Sequence, residues 1–516
     1  MNCKNRWLFK LLVLLIATQV LGFSTAWSAS EKLSLRLQEA IALALRNNLD
    51  VRNAYLDRVS DKFSYLVAQH DWKPQYSLSM SLDGDSDYGT TSRSDTVTSG
   101  VDFETSLAVP SGGDVALTLS QDSTYANGTA DAYTGSATLS FSQPLLKGFG
   151  REIAMADLTT AEYSELSSQL SLKSSIISTV TTVIEQYRTC IQAIKQLEIA
   201  ELSLQRSLQQ VEINRELVKA ERLPRVDLVQ SETDVANQRL SLRSAQNTAE
   251  TENLTLVKLL RLSPDITVEP TEPLVVSPVE LELQDLIKAA KAQQPSYLQS
   301  QITLKKAKLT RRVARDDQRW ELDLEASYAL ASDGGGPADS YRGFRHTDEA
   351  DYAVGLTLTV PIDDISSKQT LVDANIDWIQ ANNDMISTNE SLESNLRDAV
   401  QSIQSAWDNV DLAKQSLELS RQQLELEQEK QKAGRSTNFQ VVSYQNDLAN
   451  AEEDYISARI SYLNELTELD ELLGTTLERW DISLLAEDKL TPEGMDVFDA
   501  RHDNTTNIYD LRKEQL

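Results

Sequence analysis

The chain has 516 residues, 41% hydrophobic, 25% charged and only 6% aromatic, with 12 Pro and 18 Gly, so it is neither collagen-like nor dominated by linkers. Its 49 Lys+Arg against 78 Asp+Glu leave a net charge of −29, which repels nucleic acid and argues against phosphate binding. Two cysteines, Cys3 and Cys190, exclude a disulfide framework or a Cys-rich metal site; three scattered histidines (His70, His346, His502) argue against a His-based centre. No nucleophile–base constellation is visible, so neither an enzyme nor a cofactor is expected.

Residues 1–29 read as a secretory signal: Lys4, Arg6 and Lys10, then an apolar run at 11–20, then Ser24, Ala26, Ser28 and Ala29. The run falls short of the ~20 residues a spanning helix needs. Cys3 precedes it and so cannot be a lipid-accepting cysteine. No later segment reaches ~18 consecutive apolar residues, so a membrane crossing would have to be made by strands.

The chain then repeats itself. Leu35-Arg36-Leu37-Gln38-Glu39-Ala40-Ile41 recurs as Leu281-Glu282-Leu283-Gln284-Asp285-Leu286-Ile287, and Gln143-Pro144-Leu145 is echoed by Val360-Pro361-Ile362. Lys219-Ala220-Glu221-Arg222 matches Lys432-Ala433-Gly434-Arg435, 213 residues later. The expectation is a first structural repeat over 30–262, a linker over 263–280, a second repeat over 281–475 and an equatorial or loose tail over 476–516. Each repeat holds a short helix, a medium helix, strands, a very long helix, a tight turn and a returning helix.

Within the first repeat, Tyr76, Leu78, Met80 and Leu82 alternate with serines, and Ala137, Leu139 and Phe141 alternate with Thr138, Ser140 and Ser142. Further strand-like runs at 101–109 and 115–121 flank the turn Pro110-Ser111-Gly112-Gly113-Asp114. Long polar stretches lie at 83–99 and 122–131. In the second repeat, Trp320, Leu322, Leu324, Ala326 and Tyr328 alternate with Glu321, Asp323, Glu325 and Ser327, and a matching strand runs over 352–360. Such period-two alternation suits either a half-buried sheet or a barrel with lipid outside and water inside. Export and the acidic polar face favour the barrel, with strands within 74–144 (four) and 320–361 (two). Trp72 and Trp320, at strand starts, suit the membrane–water boundary.

The long helices carry seven-residue periods: Ile176, Val183, Cys190, Leu197, Leu204, Val211 and Val218, then Leu396, Ile403, Val410, Leu417 and Leu424. Val442, Ala449, Ile456 and Leu463 mark the helix that returns. A strict heptad keeps one seam against a partner and supercoils left-handedly.

The opening Leu-x-Leu-x-Glu-Ala-Ile, Asn47-Asn48 (echoed at Gln293-Gln294-Pro295), the strand exit Ser140-Phe141-Ser142-Gln143-Pro144-Leu145 and the turn Lys432-Ala433-Gly434-Arg435 together resemble the TolC family of outer-membrane efflux proteins. The resemblance covers residues 33–475. It implies a mainly α fold with a transmembrane β-barrel: a homotrimer in the outer membrane of a Gram-negative bacterium, its coiled-coil helices forming a tunnel through the periplasm. It also implies coupling through a periplasmic adaptor to an inner-membrane pump or type I secretion transporter. The family's four strands per protomer would give a 12-stranded barrel; the two extra here would give 18.

Family members gate the tunnel at the helical tips, here 219–225 and 432–438. Asp227 matches an acidic residue of the gate, whereas the family's acidic constriction falls on Gln440 and Ser443 and its tip arginine on Ser436, beside Arg435. The resemblance thus assigns the aperture to Asp227, Arg435, Gln440 and Ser443. Lys219, Arg222, Arg225, Lys432, Gly434 and Arg435 make the tips locally basic and suit adaptor contact. Gly434 suits a positive φ and Glu221 does not, so the two turns are expected to differ. The competing expectation is an exported, nonporous coiled-coil protein of structural or adhesive role.

Overall fold

The computed structural model describes residues 31–88, 93–126, 131–344, 350–484 and 509–511. The expected signal segment lies outside these residues. In chain order the elements are β1 (Glu31–Leu35), α1 (Leu37–Asn47), α2 (Leu49–His70), β2 (Gln75–Tyr88), β3 (Arg93–Ala108), β4 (Asp114–Ala126), β5 (Ala132–Pro144), α3 (Arg151–Ala154), α4 (Ala156–Lys219) and α5 (Arg225–Leu259). There follow β6 (Ile266–Pro270), α6 (Leu283–Gln293), α7 (Pro295–Asp316), β7 (Glu321–Gly334), α8 (Pro337–Gly343), β8 (Ala350–Thr359), α9 (Ile365–Lys432), α10 (Asn438–Leu473), α11 (Thr476–Arg479), β9 (Ile482–Leu484) and β10 (Tyr509–Leu511). At 1.5 Å per residue, α4 (64 residues) and α9 (68 residues) run about 96 and 102 Å. No described helix is long and apolar enough to cross a membrane.

Two compact units divide the chain. The first takes the residues up to Asn48, Val180–Pro278 and Ile403–Thr467. Its helices pack along apolar seams: Ile176 apart, the α4 heptad runs through Val183, Cys190 and Val211, all buried, and the α9 heptad through Ile403, Val410 and Leu424. On α10 the fully buried stripe is Val441, Leu448 and Tyr462, one residue earlier than the Val442, Ala449, Ile456 and Leu463 stripe expected from sequence, whose members are half-buried. Both stripes have the same seven-residue period, and packing against two neighbours selects the first. Val441 and Leu448 meet Leu424 on α9 in one cluster flanked by Leu417 and Tyr444.

At the other end of this unit, β1 pairs in parallel with β6, Leu33 opposite Val268. Two buried polar side chains lock that ribbon to the helices. Tyr187 of α4 donates its hydroxyl to Leu35 O (2.8 Å) and accepts from the amides of Thr271 (3.0 Å) and Glu272 (3.2 Å). Asn253 of α5 reads Val268 as a strand neighbour would, Nδ2 to its carbonyl (2.6 Å) and Oδ1 from its amide (3.3 Å). Burial raises the Tyr187 phenol above its ordinary pKa, so it stays neutral and able to donate.

The second unit comprises Leu49–Thr179, Val279–Ser402 and the residues from Glu468. It holds one six-stranded antiparallel sheet in the order β2-β3-β4-β5-β7-β8. Four strands come from the first half of the chain and two from the second. β3 and β4 are joined by the turn at 110–113, where Val109 N donates to Gly113 O (2.7 Å). The helix α8, unforeseen in the sequence, follows β7, and its Ser340 donates to Gln121 of β4 (2.9 Å).

The two helical tips close with the same hydrogen bonds, which corrects the expectation that they differ. Glu221 has φ 55° and Gly434 φ 71°. Arg222 N reaches back to Leu217 O as Arg435 N does to Lys430 O, and Glu221 N bonds Val218 O as Gly434 N bonds Gln431 O. This is a helix stop with its left-handed residue at C′, and its bonds satisfy otherwise orphaned carbonyls whether or not that residue is glycine. The far ends of α5 and α10 stop the same way, with Arg261 (φ 56°) and Gly474 (φ 74°). Both pairs are 213 residues apart.

Candidate functional site

Near the tips the α4 seam changes chemistry. Its second heptad position runs Ala193, Ala200, Ser207, Asn214, all buried, so the seam turns polar over its last two turns of the pattern. Asn214 donates through Nδ2 to Ser231 Oγ on α5 (2.6 Å) and to Asn438 Oδ1 on α10 (2.6 Å). Gln210 donates to Asn214 Oδ1 and Asn438 Oδ1, each at 3.1 Å, and Asn438 Nδ2 donates to Ser231 Oγ (2.8 Å). One turn back, Ser207 donates to Asp234 (2.5 Å). A connected polar set buried among three helices fixes their register, because any slip leaves several groups unpaired.

The expected aperture residues fall around this set without forming it. Asp227, in the first turn of α5, touches it only through its backbone carbonyl, which accepts from Ser231 Oγ (2.9 Å) and Asn438 Nδ2 (3.5 Å). Its carboxylate has no hydrogen-bond or ion-pair partner among the described residues. Arg435 is exposed, and its amide serves the turn. Gln440 is exposed, its amide capped by Thr437 Oγ1 (3.3 Å), and Ser443 is half-buried. Of the basic tip residues, Lys219 pairs with Glu216 along its own helix, and Arg222, Arg225 and Lys432 are exposed. The sequence signal for this buried set is the pair Ser207 and Asn214 at second heptad positions of an otherwise apolar seam.

The second tip carries a charge instead of an amide. Glu427 of α9, buried, accepts from Ser436 Oγ (2.5 Å) on one oxygen and from Lys430 Nζ (2.9 Å) on the other. The Ser436 hydroxyl and then the Lys430 ammonium hold its carboxyl below the ordinary Glu pKa. Elsewhere in the seam, burial pushes the Cys190 thiol up to about 11, which leaves it unreactive at neutral pH.

The sheet has two chemically distinct faces. In the ladder, Leu78–Phe103–Leu119–Ala137–Leu330 and Leu117–Leu139–Tyr328–Tyr352 form cross-strand rows on one face. Its outer members stand bare, Met80 74% and Tyr352 84% exposed, so within one chain the apolar band has no cover. On the other face, Asp102, Glu104, Asp122, Asp323, Glu325 and Asp333 alternate with Ser and Thr. Arg93 is the one basic residue among the six strands. Both sheet edges, β2 and β8, lack an outer strand among the described residues. Trp320, exposed, directly precedes β7; Trp72, half-buried, sits between α2 and β2.

Residues 286–475 match the model of a family described as outer membrane efflux protein. Among solved structures, the outer membrane channel CmeC of Campylobacter jejuni aligns over 85% of this chain and 86% of its own, at 14% identity and a TM-score of 0.63. The outer membrane protein VceC of Vibrio cholerae aligns over 85% and 96%, at 13% identity and 0.63. The open state of the MtrE outer membrane channel of Neisseria gonorrhoeae aligns over 86% and 89%, at 18% identity and 0.61. No curated protein sequence matches. These similar proteins are channels rather than enzymes, and the outer-membrane location expected from the sequence agrees with them. Residues 286–475 thus match the outer membrane efflux protein family, and the chain has the fold of the TolC-like outer-membrane channels.

Proposed function

We propose that the chain is the outer-membrane exit duct of a tripartite efflux or type I secretion system, active as a homotrimer built from two internal repeats per protomer. The observation that carries this is the sheet: one bare apolar face, one acidic face and two open edges on a chain that also bears helices about 100 Å long. Six strands from one chain cannot enclose a passable lumen, whereas three chains pooling theirs would close an 18-stranded barrel with lipid outside and water inside. Trp72 and Trp320 would then lie at the membrane–water boundary. The tips at 219–225 and 432–438 would face the periplasm, with Asp227, Arg435, Gln440 and Ser443 near the aperture. The basic residues Lys219, Arg222, Lys432 and Arg435 beside Gly434 would meet an adaptor, through which an inner-membrane transporter loads the duct.

The acidic inner face makes the lumen negative. Purified protein in a planar bilayer under a potassium chloride gradient should therefore give discrete conductance steps and a cation-selective reversal potential. The selectivity should shrink as salt shortens the Debye length below ~8 Å. Absence of conductance, or anion selectivity, would contradict the reading.

A further inference from the structure

The left-handed turn residues, Glu221 with Gly434 and Arg261 with Gly474, set a register of 213 residues in which α4 corresponds to α9 and α5 to α10. Within the chain α10 lies along α4, through Gln192–Ser457, Arg206–Glu452 and Asn214–Asn438. The α4 face between these contacts is closed: Ile199 is 6% exposed and Gln210 is buried. Three of its counterparts on α9 are open, and Glu427, counterpart of Asn214, is 7% exposed beneath its own Ser436 and Lys430. Leu412 corresponds to Ile199 and is 62% exposed, Leu419 corresponds to Arg206 and is equally bare, and Gln423 corresponds to Gln210 and is exposed. The other side of the contact shows the same asymmetry. Asn438, Gln445 and Thr467 of α10 are buried, whereas Arg225, Glu232 and Leu254 of α5 are exposed. Each hairpin therefore has one face that meets its neighbour inside the chain and one corresponding face left without a neighbour.

We propose that α5 of one copy covers α9 of the next as α10 covers α4 within a chain, and that Arg225 of one protomer forms an ion pair with Glu427 of its partner. This rests on the trimeric reading above. In the 213-residue register Arg225 corresponds to Asn438 and Glu427 to Asn214, so the amide pair inside the chain becomes a guanidinium–carboxylate pair between chains. The chemistry matches in detail. Ser436 and Lys430 occupy one acceptor site on each Glu427 oxygen and leave one on each. Those two sites fit the paired N–H groups of an arginine. Arg225 is exposed and has no side-chain partner among the described residues. It also opens α5, where the helix dipole disfavours a cation, so its own helix gains nothing from the charge. The next contact up the helices differs in kind: Arg239, counterpart of Glu452, lies opposite Leu419, and the arginine stem covers the leucine in place of an ion pair. Arg225 then points sideways into a neighbouring copy and is not a contact for an adaptor.

The test is a disulfide between chains, Arg225→Cys with Glu427→Cys, in the full mature protein in detergent. Cys190 is buried with its thiol pushed up to about 11, so it adds no background. Mild oxidation should give covalent dimers and trimers on denaturing gels, and Arg222→Cys with Glu427→Cys should give at least tenfold less. Only monomers, or a fast-migrating monomer linked internally, would overturn the pairing. An amine-reactive cross-linker applied to the same samples separates the causes: trimers with it but none through the disulfide sink this contact alone, and monomers with both sink the trimer as well. In a second measurement, Arg225→Glu and Glu427→Arg should each speed trimer dissociation several-fold. The double reversal should bring it back to within about twofold of wild type; additive losses in the double variant would overturn the pair.

Discussion

Tyr187 has no exposed surface, yet it holds three backbone groups of two different segments. Tyr187→Phe keeps the ring and strips the bonds, leaving the Glu272 amide unpaired while Thr271 still reaches Leu35 O through its amide (3.1 Å) and its hydroxyl (3.2 Å); it should cost about 1–3 kcal/mol, read as a lowered denaturant midpoint. Asn214→Ala should destabilise the tip by about 1–3 kcal/mol, because Ser231 and Asn438 lose a buried partner. Glu427 gives the same region a pH dependence. Its pKa is depressed in the folded chain, so its contribution is present above the unfolded value of about 4.3 and is lost as pH falls through the lower folded value. Protection factors of the amides at 427–441 should fall between about pH 5 and 3 in wild type. Glu427→Gln should be less protected at neutral pH and lack that acid-dependent fall. Little of this scale was legible beforehand. Asp227, Arg435, Gln440 and Ser443 were singled out by alignment with a family pattern, and an alignment does not show which polar side chains are buried together. Asn214 and Ser207 were legible in principle, as polar residues on an otherwise apolar seam.

Elements were far more readable than sites. A seven-residue period from Ile176 to Val218 or from Leu396 to Leu424 and a two-residue alternation are each set by backbone geometry. So α4, α9 and the middles of the six strands follow from apolar spacing, whereas the strand ends at 83–88, 93–99 and 122–126 lie in what the sequence offers as long polar stretches. Rotation about the helix axis was less secure: on α10 the stripes 441/448/462 and 442/449/456/463 carry equal periodicity, and neighbouring helices decide between them. The tips were misjudged for a related reason. Glycine relieves a left-handed residue but is not required by it, and Glu221 adopts φ 55° because the surrounding hydrogen bonds determine the turn. That conformation costs Glu221 roughly 1 kcal/mol. Glu221→Gly should recover about that amount in tip stability by amide exchange, and Gly434→Ala should lose about as much. A loss of stability in Glu221→Gly, or no loss in Gly434→Ala, would mean the turns are not equivalent.

At the scale of the whole molecule, the sequence displayed the two-faced sheet but not what covers it. Alternation alone suits a soluble sandwich as well as a barrel; in the structure Leu78, Phe103, Leu117, Leu139, Tyr328 and Tyr352 of the two rows are exposed on one face. Val354, on that face of the edge strand β8, gives a direct probe: Val354→Arg should cost about 2–4 kcal/mol in membrane assembly, whereas Thr357→Arg, on the acidic face, should assemble normally. In the proposed reading, the helical rods, the bare sheet and the hairpin faces left without neighbours share one remedy, further copies of this chain arranged in a closed ring. The mass of the detergent-solubilised mature protein, measured by native mass spectrometry, tests that most directly. A species of three chains that dissociates to monomers only on heating is the predicted result; a single chain that remains soluble without detergent would contradict it.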